Sequence, residues 1–100
     1  MTHVGTETIL ARRQGVLAQR LDEEIVLLDA DVGHYFALNP TGASLWEWIG
    51  EQTIRVADLV DLLCAHYDVS ASAAERDILA LVRELLEQGL VEVRTGPESL

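Results

Sequence analysis

The chain has 100 residues, 49% of them apolar, and a formal net charge of −10; its seven basic residues are all arginine. That length holds one domain with one modest core. The charge argues against nucleic-acid or membrane-surface binding, because both draw on a cluster of cations and the largest here is Arg12-Arg13.

Met1 to Thr8 and Thr95 to Leu100 show no apolar period and contain Gly, Pro and Ser. We therefore expect a flexible N-terminal segment over residues 1–13, an ordered domain over 14–94 and a flexible tail over 95–100. The start, Met-Thr-His-Val-Gly, has no basic region followed by an apolar one, so no signal peptide is read there. The apolar runs, Ile25 to Leu28 among them, are too short to cross a bilayer. A soluble cytoplasmic protein is the expectation.

Gly15 to Leu21 alternates in the manner of a strand, and Asp22-Glu23 supplies a turn into the β-branched run Glu24 to Leu28. Asp29 to Gly33 makes a second turn, with Gly33 free to take positive φ. His34 to Leu38 is a third strand, stopped by Asn39-Pro40. Three strands joined by short turns predict an antiparallel meander. Asn39 suits a helix N-cap with Pro40 in the first helical position, and that helix runs to about Ile49 and closes near Gly50. A second helix is predicted from Val56 to Tyr67. A third is capped by Ser70 or Ser72 and runs to Gln88, and Leu90 to Arg94 alternates like a short closing strand. Strands gathered before helices indicate an α+β fold, a three-stranded antiparallel sheet packed on three helices, winged-helix-like in outline.

Catalytic and metal chemistry find little purchase. His3, His34 and His66 are isolated, and no pair has ligand spacing. Cys64, the one cysteine, excludes an intrachain disulfide, and its neighbours Asp61 and Asp68 are acidic where an activated thiolate needs positive surroundings. The seventeen carboxylates are spread over turns and helix faces, as solvation of a surface requires. We expect no enzyme, no cofactor and no metal.

Exposed apolar surface is more informative. The third strand of a meander can lie at an edge, and edges are normally guarded by charge, Pro or a bulge. His34-Tyr35-Phe36-Ala37-Leu38 carries none of these, with His counted neutral. On a helical wheel the third helix shows Leu81, Leu85, Ile78, Val82, Leu86 and Leu79 over roughly 160°, wider than an ordinary surface stripe. Ile78, Leu81, Val82 and Leu85 are the expected core side. Leu79 and Leu86 form a shoulder, with Arg76 and Arg83 at about 140° to 160° beside it. An extended peptide added at such an edge gains main-chain hydrogen bonds, and apolar pockets read its alternate side chains.

Ile25-Val26-Leu27-Leu28-Asp29, then Gly33 to Asn39, then Gly42, Leu45 and Trp46 resemble the PqqD-like family. That family's pattern is an LLD strand followed by G-x-Y-x-x-L-N-x-x-G-x-x-(I/L)-W. Leu85 to Val91 is similar to its L-x-x-x-G-L-(I/V) ending. The resemblance covers about Val16 to Val93. It implies a recognition element for the leader of a ribosomally made precursor peptide, the leader joining the sheet beside the third strand and lying against the third helix. Carried onto this chain, the peptide-binding residues would be His34, Tyr35, Phe36, Ala37 and Leu38 on the strand. Arg76, Leu79, Ala80 and Arg83 would be those on the helix. Within the family, the acidic free-standing domains of lasso-peptide clusters look most similar. The resemblance implies as partners the precursor leader, a leader peptidase and a cyclase. The other readings are a peptide chaperone for a radical-SAM enzyme in pyrroloquinoline quinone synthesis and a winged-helix transcription regulator.

Overall fold

In the computed structural model, residues 4–94 are described. The chain runs β1 (Ile9–Arg12), β2 (Val16–Leu21), β3 (Glu24–Asp29), β4 (His34–Leu38), α1 (Pro40–Ile49), β5 (Ile54–Arg55), α2 (Val56–His66), α3 (Ala71–Glu87) and β6 (Val91–Arg94). The α+β class and the three helices agree with the sequence reading. The sheet does not stand alone, however. There are two three-stranded antiparallel sheets, one ordered β2-β3-β4 and the other β5-β1-β6.

The second sheet corrects the expectation for residues 4–12, read as part of a flexible segment. Ile9 to Arg12 pair with Arg94 to Val91 on one side, and Ile9 and Leu10 pair with Arg55 and Ile54 on the other. Four residues are too few to display a period, so this strand owes its state to partners far along the chain. Leu10 is fully buried, and Val4 is also in the core. The residues between them serve α2. Its N-cap, Arg55, gives no side-chain cap, and the orphan amides of Val56 and Ala57 donate instead to the carbonyls of Thr8 (2.9 Å) and Thr6 (2.8 Å). The rest of the segments read as flexible, residues 1–3 and 95–100, lie outside the described residues.

The meander follows the predicted turns. Leu21 pairs with Glu24 across the two-residue loop Asp22-Glu23, and Asp22 takes φ +60°, the positive value that a tight hairpin requires. Gly33 at φ +70° closes the next turn, its amide donating to Asp29 O at 2.7 Å. Along β3 the inward positions are Ile25, Leu27 and Asp29, all buried. One continuous core joins them to Leu10, Leu38, Leu45, Trp46 and Ile49, to Leu59 and Leu63 of α2, and to Ile78, Val82 and Leu85 of α3. Helix ends match the sequence signals within a residue. Asn39 accepts from Gly42 N, Ser70 accepts from Ala73 N, and α2 stops at His66 with Tyr67 as C-cap.

Candidate functional site

β4 pairs with β3 from Ile25↔Leu38 to Asp29↔His34, and no strand lies on its other side among the described residues. The closing segment that could have covered it, β6, sits in the other sheet. The register fixes the faces. His34, Phe36 and Leu38 share the inner face with Asp29, Leu27 and Ile25, while Tyr35 and Ala37 share the outer face with Leu28 and Val26. Leu38 is buried and Phe36 half-buried, whereas Tyr35 is 67% exposed and His34 and Ala37 are exposed too. Leu38 is thus a core anchor as a side chain.

Both ends of β4 are fixed in place. At the C-terminal end, Asn39 Oδ1 accepts from Gly42 N at 2.8 Å and starts α1 directly after the strand. Gly42 belongs there because a Cβ would come within 3.3 Å of Leu38 and Asn39. At the N-terminal end, Asp29 is buried with Oδ1 accepting from Asp31 N (3.0 Å) and Oδ2 from Arg13 Nη1 (3.0 Å). Burial would raise the Asp29 pKa. The amide of Asp31, the guanidinium of Arg13 and the amide of Val32 outweigh it and hold the carboxyl below its ordinary value.

On α3 the buried line is Ala74, Ile78, Val82 and Leu85. Leu81, expected in the core, is half-buried, as are Leu79 and Leu86 on the opposite flank. Arg76, Ala80 and Arg83 are exposed. Arg76 lies 4.0 Å from its chain neighbour Asp77, and Arg83 forms no ion pair among the described residues, with Glu87 or otherwise. α3 packs chiefly on α2 and β6, while β4 packs on β3 and α1. The strand and helix residues singled out from sequence therefore stand on two elements that do not pack closely on one another.

Two features escaped the sequence reading. Arg13 joins the two borders: Nη1 donates to Asp29 Oδ2 and to the carbonyl of Gly89 (3.0 Å each), and Nη2 reaches Asp31 Oδ2 at 3.4 Å. One side chain so ties the turn before β4 to the end of α3. Its signal was present only as a lone Arg-Arg pair in a segment read as flexible. The other feature is the outer face of the meander, where Leu17 (58% exposed), Val26, Leu28 and Tyr35 line a shallow depression of about 310 Å³. The alternation of β2 placed Leu17 and Leu21 on one face but could not tell which face was wet.

The other candidate chemistry stays dispersed. His66 Nδ1 contacts Leu62 O at 2.9 Å and its ring sits 5.2 Å from Trp48. Cys64 is half-buried. No group of three or more His, Cys, Asp or Glu side chains could hold a metal among the described residues. Arg12, with its guanidinium 4.5 Å from the Trp46 ring centroid and Nη2 donating to Trp46 O at 2.6 Å, is a packing element. Burial lowers its pKa against the opposing charges of Glu51 and Glu47.

Residues 24–91 match the family described as coenzyme PQQ synthesis protein D (PqqD). No curated protein sequence matches the chain. Two solved structures are similar to it. TbiB1 in complex with the TbiA(beta) leader peptide is 31% identical with a TM-score of 0.76, the match covering 86% of this chain and 99% of that one. A lasso peptide synthetase B1 complexed with the leader peptide is 32% identical with a TM-score of 0.69, covering 83% and 96%.

Proposed function

The chain belongs to the PqqD family, and from that premise we propose that it binds the leader segment of a ribosomally synthesised precursor peptide by strand addition, in lasso-peptide maturation. The observation that carries this is that, among the described residues, no strand lies on one side of β4, in a chain about one-third identical to two proteins solved with leader peptides bound. An added strand gains the ladder hydrogen bonds that β4 offers outward at alternate residues. Its side chains then alternate between the outer face beside Tyr35 and the inner face beside Phe36.

In this reading Tyr35, Phe36 and Ala37 contact the leader by side chain and backbone, and His34 and Leu38 frame them. The helix wall is Leu79 and Ala80 flanked by Arg76 and Arg83. A leader with an apolar anchor near acidic residues complements that wall, since Arg83 forms no ion pair among the described residues. The protein acts as a binding protein rather than a catalyst, presenting the leader to a separate peptidase and a cyclase in the cytoplasm. Among the described residues no helix is long and apolar enough to cross a membrane. The similarity to two leader-bound proteins, one of them a lasso peptide synthetase B1, favours this pathway over a radical-SAM partner, and the acidic charge disfavours a DNA-binding regulator.

The test is a titration of isotope-labelled protein with the synthetic leader of the precursor encoded beside it. Amide shifts are expected for Tyr35 to Leu38 and for Arg76 to Arg83, with β5-β1-β6 quiet. A leader that leaves the β4 amides unmoved would overturn the proposal.

A further inference from the structure

The two proposed walls of the leader site, β4 and α3, do not pack closely on one another, so their spacing has to be held by something else. The meander rests on the rest of the molecule chiefly through α1. At its hairpin end Arg20 pairs with Glu47 of α1, which leaves α3 untouched. The tie to α3 is made at the other end, by Arg13. We propose that Arg13 is a positioning residue for leader binding, acting through Asp29 and Gly89 rather than by touching the peptide, and holding the start of β4 at one separation from α3 before the leader enters; this rests on the leader lying between β4 and α3.

Each grip of Arg13 is on a part that cannot drift by itself. On the meander side, Asp29 is only 5% exposed and is the ladder partner of His34, the first residue of β4. Its own carbonyl accepts from the Gly33 amide at 2.7 Å and closes the turn. Asp31 N occupies its Oδ1, and Oδ2 is left for Arg13 Nη1. On the helix side, the amides of Gly89 and Leu90 donate back to Leu86 O (3.1 Å) and Leu85 O (2.9 Å). The last turn of α3 therefore carries the Gly89 carbonyl with it. Arg13 holds that carbonyl through Nη1 at 3.0 Å and the Leu90 carbonyl through its own backbone amide at 3.1 Å. Gly89 takes φ +73°, and a Cβ there would come within 3.2 Å of Nη1. Among the described residues no other side chain hydrogen-bonds to both the turn before β4 and the end of α3.

Loss of this tie is distinguishable from loss of stability. Without it the start of β4 moves relative to α3, and only a fraction of molecules has the walls correctly spaced at any moment. The apparent affinity falls by that fraction. The loss enters the association rate, because a leader already in place bridges both walls itself. Removing both charges together avoids leaving Asp29 buried and unpaired, which would destabilise the domain for a separate reason.

The experiment measures association and dissociation of the synthetic leader with Arg13→Met, Asp29→Asn and the double variant, under conditions where urea curves show each to be folded. An asparagine at position 29 has one acceptor oxygen for the two donors Asp31 N and Arg13 Nη1, so Asp29→Asn also breaks the tie. The two single variants and the double should slow association by the same factor, at least about fivefold, with dissociation within about twofold of wild type. Should Arg13→Met alone fail to fold, the double variant carries the comparison. Arg12→Met is the control: Arg12 donates to Trp46 O and reaches neither β4 nor α3, so it should lower the urea midpoint and leave association unchanged. A folded double variant with the wild-type association rate overturns the positioning role and leaves the leader reading standing. Losses that add in the double variant, a loss carried by dissociation alone, or equal slowing in Arg12→Met overturn it as well. Wild-type protein that binds no leader defeats the leader reading, and the positioning role with it.

Discussion

The two sheets are alike in size and opposite in use. In β5-β1-β6 the middle strand is central, Leu10 and Ala11 are buried, and the strands come from the beginning, middle and end of the described chain. In β2-β3-β4 all three strands are consecutive, β2 is exposed along most of its length, and β4 has one side without a partner among the described residues. One sheet gathers distant segments around the core. The other uses a local hairpin pair to hold an edge out into solvent. The difference teaches that the edge proposed for binding forms from local contacts and that a scaffold elsewhere supplies its stability.

That division can be broken from either side. The largest loss of stability is expected in the scaffold: Leu10→Ala, at a fully buried position, should cost about 2–5 kcal/mol in urea unfolding. The largest loss of binding is expected in the other sheet. Ala37→Pro removes a backbone donor from an edge strand and should weaken leader affinity at least about tenfold by calorimetry, with a smaller fall in the unfolding midpoint than Leu10→Ala. Asp29 links the two sheets through Arg13, and its effect depends on pH. Its folded pKa lies below the ordinary 3.8, so its ionised form stabilises the fold above that value. The contribution is lost as pH falls through the lowered pKa. The urea midpoint of wild type should accordingly drop faster below about pH 4 than that of Asp29→Asn. Arg83→Glu on the exposed helix wall should weaken an acidic leader about two- to fivefold. The smallest effect is Leu17→Ala on the outer face, expected within about 0.5 kcal/mol of wild type; a large loss there would mean the outer face is not free.

The meander was legible because its information is local: Asp22-Glu23 and Gly33 mark the turns, and the apolar runs Glu24 to Leu28 and His34 to Leu38 mark the strands. The helices were legible from Asn39-Pro40, Ser70 and Gly89 for the same reason. β1 and β5 were not. Ile9 to Arg12 reads as four unremarkable residues until Val91 to Arg94 and Ile54-Arg55 are beside it. The edge was read from the missing guards in His34 to Leu38, and the structure places that strand at the border of its sheet. The helix wall was harder. A wheel shows that Leu79 and Leu81 flank a buried line, but it cannot say which flank looks toward β4, and the structure leaves both half-buried. Arg13 was out of reach altogether, since its three acceptors are separated from it by 16, 18 and 76 positions.

Arg13 also has a mechanical meaning. By grasping the loop ahead of β4 and the carbonyl that follows α3, it behaves like the rivet of a pair of calipers, fixing the jaws at one end. For a leader bound between them as proposed, that gauge is set in advance, and little ordering entropy would remain to be surrendered on capture.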